Sequence, residues 1–105
     1  MTAIEKLEVL SRLVRQGKPD MLIDRTLDKL LAHKRVEAEA QYRRIRTDVK
    51  AFEKQYSMDS PTFMGRYQEG ALGDDADFIE WYALWDMLQE LEERLNDLRG
   101  RHLPI

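Results

Sequence analysis

Apolar positions along this chain fall into two matched stripes. Ala38, Tyr42, Ile45, Val49, Phe52 and Tyr56 follow one another at steps of 4-3-4-3-4. Trp81, Leu84, Leu88, Leu91, Leu95 and Leu98 follow at 3-4-3-4-3. An apolar residue every 3.5 positions lines one side of a helix and requires a facing helix. The stripes span 19 and 18 residues, each about 27 Å long at 1.5 Å per residue. Equal lengths predict a long antiparallel helical hairpin with coiled-coil spacing. No strand-like alternation occurs along the sequence, so the chain reads as all-α.

The remaining pattern places the other elements. Thr2 and Glu5 have capping-box spacing, and Ile4, Leu7, Leu10, Leu13 and Val14 give a first helix, over 2–16, one apolar face. Gly17 followed by Pro19 reads as its stop. A second helix over 19–56 has Asp20 and Asp24 at the positive end of its dipole. Leu22, Ile23, Leu27, Leu30 and Leu31 crowd its first third, where the first helix is expected to fold back. Lys34 and Arg35 interrupt the apolar pattern, so packing changes partner near that point. Ser57 to Ser60 breaks the helix, and Pro61 opens a short one over 61–69 holding Phe63, Met64 and Tyr67. Gly70 and Gly73 end it, and a last helix over 75–99 stops at Gly100.

A chain of 105 residues suits one domain, 1–105, with a small core. Burial of roughly 1.5–3 kcal/mol per large side chain competes with ordering costs of about 1–2 kcal/mol per residue. The narrow margin leads us to expect a homo-oligomer, most simply a dimer, or a tight hetero-partner. There is no cysteine, hence no disulfide framework and no thiol chemistry. No apolar run is long enough to span a bilayer, and none follows Met1 as a signal-peptide core. A cytoplasmic location without membrane association is the expectation. The net charge of −3 hides an asymmetry. From Glu69 to Arg99 ten acids face two bases, whereas from Asp20 to Tyr56 nine bases face seven acids. The acidic half argues against nucleic acid as the partner of the whole chain.

Candidate chemistry concentrates at the start of the last helix. Asp74, Asp75, Asp77 and Glu80 could form a divalent-cation site, since clustered carboxylates suit hard cations. Their spacing does not match the twelve-residue calcium loop, and Asp77 and Glu80 also have the spacing of a capping box. Phe78, Trp81, Tyr82 and Trp85 form an aromatic cluster that either packs against Phe63 and Tyr67 or anchors a partner. Asp86, Glu90, Glu93 and Asp97 step by 4-3-4 on the face opposite the leucine stripe. That face is either plain solvated surface or a docking stripe for a basic protein. Arg43, Arg44, Arg46 and Lys50 make a basic patch, weakened for phosphate contact by Glu37, Glu39 and Asp48. His33 and His102 lack metal-ligand spacing, and there is no Gly-rich phosphate loop or cofactor motif. An all-helical pyrophosphohydrolase needs inward-facing acids on two helices, and the apolar stripes leave no room for them. The chain therefore reads as a binding protein rather than an enzyme, with a metal-dependent hydrolase the remote option.

A family resemblance rests on IDRTLDKLL at Ile23 to Leu31 and FMGRYQEGALGDDADFIEWYALWDM at Phe63 to Met87, with a long charged helix between them. Its sharpest part is the Gly-Asp-Asp-x-Asp-Phe-x-Glu-Trp stretch at Gly73 to Trp81. In these residues, over most of its length, the chain resembles small bacterial and archaeal helical proteins associated with toxin–antitoxin gene pairs. The resemblance implies an antitoxin that neutralises a toxin by direct binding. It carries over no catalytic residues. The chain has neither the ribbon nor the helix-turn-helix of antitoxins that bind their own operon. The alternative is a homo-oligomeric helical scaffold without a toxin partner.

Overall fold

The computed structural model describes residues 1–17 and 20–100; Pro19 and His102 lie outside them. The described residues form four helices and no strand: α1 (Ala3–Arg15), α2 (Met21–Tyr56), α3 (Ser60–Gln68) and α4 (Ala76–Leu98). The protein is all-α, with α2 and α4 forming a long antiparallel hairpin. The chain divides into two compact units, one ending at Lys34 and the other beginning at Arg35. This is where the two basic residues interrupt the apolar pattern. Helix α2 contributes to both units.

In the first unit α1 opens with the expected capping box. Thr2 Oγ1 accepts the Glu5 N–H at 3.1 Å, and Glu5 Oε1 accepts the Thr2 N–H at 3.2 Å. Gly17, at φ +75°, takes the left-handed conformation that ends the helix without a Cβ clash. Asp20 caps α2 by accepting the Ile23 N–H at 2.8 Å. Helix α1 folds back on α2, so Leu7, Leu10 and Val14 meet Leu27 around an open recess of about 370 Å³. The 13-residue α1 and the first turns of α2 share too little surface to enclose a core. Among the described residues of this unit none is buried.

The second unit does have a core. All twelve stripe residues are buried or half-buried. Ala38, Leu91 and Leu95 form a buried cluster, with Tyr42, Ile45 and Leu98 packed against it. The antiparallel register is marked at both ends. Tyr56 meets Asp77 at one end, and Glu39 pairs with Arg99 at 3.5 Å at the other.

The turn between α2 and α3 begins at Ser57, which sits at φ +51° where glycine is usual. The Met58 N–H then closes on the Glu53 carbonyl at 3.1 Å. Asp59 caps α3 by accepting the Thr62 N–H at 2.8 Å. Helix α3 seals the hairpin end by laying Phe63 flat on Trp81, with ring centroids 3.9 Å apart and planes within 3°. Both rings are 0 % exposed. The indole N–H donates to Ser60 Oγ at 2.9 Å. Ser60 in turn donates from its backbone N–H (2.8 Å) and hydroxyl (2.9 Å) to the Glu53 carboxylate.

Truncating this corner should be costly. Phe63→Ala is expected to destabilise the protein by about 3–5 kcal/mol. Ser60→Ala, which orphans the indole N–H, should cost about 1–3 kcal/mol. Ile79→Ala on the exposed side of α4 should stay within about 0.5 kcal/mol. Urea unfolding followed by far-UV circular dichroism measures all three.

Candidate partner-binding face

Helix α4 carries the candidate residues, and the structure divides them between core and surface. Trp81 is fully enclosed by Phe63, by Phe52 at 5.8 Å and by Tyr56 at 6.0 Å. It is a core residue, and a partner could touch it only by opening the corner. Phe78 is half-buried, tilted against Tyr56 at 5.0 Å and Phe63 at 5.8 Å. Tyr82, also half-buried, rests on Tyr67 at 5.3 Å. Trp85 faces elsewhere. It lines a groove of about 230 Å³ with Tyr42, Val49 and Leu88, walled by Arg46 and Lys50. The four aromatics therefore do not form one surface patch, because α3 takes up three of them.

The four acids behave differently. Asp86, Glu90, Glu93 and Asp97 are all exposed. At 100° per residue they lie opposite the stripe that locks α4 to α2. Ion pairs form at Glu39 with Arg35 (3.8 Å) and Arg99 (3.5 Å). Among the described residues none holds the four acids. Helix α4 thus displays a row of exposed carboxylates that form no ion pair among the described residues.

The carboxylates that open α4 act locally. Asp75, not Asp77, is the N-cap, accepting the Asp77 N–H at 2.9 Å. The Asp77–Glu80 capping box is not formed, because Asp77 Oδ2 instead accepts the Tyr56 hydroxyl at 2.6 Å and Gln55 Nε2 at 3.4 Å. Asp74 and Glu80 point to solvent. Among the described residues no three acids or histidines gather so as to hold a metal ion. The proposed set of Asp74, Asp75, Asp77 and Glu80 does not converge.

The basic patch is split in the same way. Arg46 and Lys50 wall the Trp85 groove, and Arg43 lines its continuation beside Glu39, Leu95 and Arg99. Arg44 lies apart, with Glu37, Ala40 and Gln41. Two features had no signal in the sequence. Glu53 reaches α3 across a helix break, and no short motif marks such a bond. The groove at Trp85 needs two helices to be seen at all.

Two groups depart from their ordinary acidity. Tyr56 is pushed up to about 12, first by its hydrogen bond to Asp77, then by burial and by the negative charges of Asp77 and Asp75. Asp59 is lowered by the hydrogen bonds it accepts from Thr62. Among the described residues no helix is long and apolar enough to cross a membrane. Compared with protein-family models, curated proteins and solved structures, the chain matches none.

The Tyr56–Asp77 bond has a pH signature. It requires the neutral phenol, so its contribution is complete below about pH 10 and is lost as pH rises toward 12. Tyr56→Phe should lower stability at neutral pH, and the gap to wild type should shrink above about pH 10. Denaturant titrations of both proteins across that range check this. A constant gap contradicts the assignment.

Proposed function

We propose that this chain is a small protein-binding module, and more narrowly an antitoxin that neutralises a partner toxin by direct contact. The acidic face of α4 would meet a basic surface on the partner. The observation that carries this reading is the row Asp86, Glu90, Glu93 and Asp97, exposed and held in no ion pair among the described residues. Like charges aligned on a rigid helix raise encounter rates with an oppositely charged partner and discourage acidic ones. The scaffold alternative draws its support from the open apolar recess of the first unit.

The test is co-purification of the tagged full chain from its native cells, beside a variant carrying Asp86→Lys, Glu90→Lys, Glu93→Lys and Asp97→Lys. These positions are exposed, so circular dichroism should be unchanged. The expected result is one stoichiometric basic partner that the variant loses, with wild-type binding weakening as salt rises. Binding that survives the reversal with the same salt dependence overturns the α4 docking face. A homo-oligomer without any partner favours the scaffold.

A further inference from the structure

The first unit presents an apolar edge that no other described residue of that unit covers. Leu7, Leu10, Val14 and Leu27 line its recess of about 370 Å³, with Ser11 and Arg15 on the α1 side. Helical spacing extends the edge at both helices. Ile4 precedes Leu7 by three positions and Leu31 follows Leu27 by four, so each shares its neighbour's side. Ile4 is 68 % exposed and Leu31 52 %. Asp24, three positions before Leu27, lies on the same edge of α2 as Leu27 and Leu31.

We propose that a second copy of this chain covers this edge. The two α1–α2 hairpins pack face to face about a two-fold axis parallel to the helices, making a four-helix bundle. Three observations select a second copy as the occupant.

The first is size. The edge is about 20 Å long and two helix diameters wide. Two such faces bury roughly 900 Å² in total, the scale of a weak, reversible interface. A unit of 34 residues is also below the roughly 40 residues at which oligomerisation is usually needed for a stable core.

The second is net charge. Residues 1–34 carry seven bases and five acids, whereas residues 35–105 carry ten bases and fifteen acids. Copies therefore approach through the first unit with far less repulsion than through the second.

The third is self-complementarity. This two-fold axis sets α1 of one copy against α2 of the other, antiparallel. Each Ile4 then lies level with the other copy's Leu31, and each Arg15, about one turn (~6 Å) beyond Asp24, tilts toward it because helical side chains lean to their own N-terminus. An isologous interface demands this reciprocity.

This assembly does not depend on the acidic face of α4, and the two readings fail separately. Sedimentation velocity of the full chain over a micromolar dilution series should show a concentration-dependent dimer. Leu31→Glu should weaken it at least about tenfold. Ile79→Glu, a similarly exposed position on α4, should leave it unchanged. Arg15→Asp and Asp24→Arg should each weaken the homodimer severalfold. Mixing these two variants should restore wild-type affinity, because both facing pairs in the heterodimer are then opposite in charge. A pair within one chain could not give that rescue. A wild-type chain that stays monomeric throughout overturns the proposal. So does a dimer indifferent to Leu31→Glu, or a mixture that fails to recover.

Discussion

The structure depends on one buried indole. Trp81 stacks on Phe63 at 3.9 Å and gives its N–H to Ser60, whose own donors are held by Glu53. Three helices are tied at that point, since Glu53 belongs to α2, Ser60 and Phe63 to α3, and Trp81 to α4. Face-to-face stacking this close is not the arrangement that aromatic quadrupoles favour most. The hydrogen-bonded indole nitrogen and the shape of the pocket impose it. The corner also resolves a polar problem. A buried indole N–H and a buried serine need partners, and the chain of donors ends on a carboxylate that can accept several bonds.

With the corner closed, the α2–α4 seam has a fixed register. The stripes start from a sealed end and run to the Glu39–Arg99 pair. That pair is exposed and worth little as an energy, so it marks the far end of the seam rather than holding it. The corner also decides which side chains of α4 stay near the surface. It consumes Trp81 outright and fastens Phe78 and Tyr82 to the α2–α3 end. On α4 it leaves Trp85, lining its groove, and the exposed acids opposite the seam.

The heptad stripes made the second unit legible from the residues alone, because each stripe position has to be covered and only the other stripe has its length. The capping box at Thr2 and Glu5 was legible for the same reason, being a local device with local spacing. The start of α4 was harder. Asp75 and Asp77 are both competent caps, and only the position of Tyr56, twenty-one residues away, draws Asp77 off the backbone. Glu53 was out of reach, since its bond to α3 crosses a break in the helix. The aromatic cluster was legible as a cluster, but its division into core and groove depends on where α3 lies.

The first unit inverts the logic of the second. Helix α2 reaches it already nucleated by the packed part of the same helix, so its first turns add at propagation cost only. Helix α1 has no such support. It is a separate helix of 13 residues, near the length at which an isolated helix is marginal in water. Its capping box contributes on the order of 1 kcal/mol, and its apolar face meets α2 without burying a single residue. A helix so placed gains most from whatever covers its open edge. In the proposed dimer its order is linked to association by mass action. The uncovered leucines of α1 and α2 and the enclosed indole of α4 follow from the same constraint. A short chain has enough apolar surface for one closed core, and it spends that surface at the Trp81 corner.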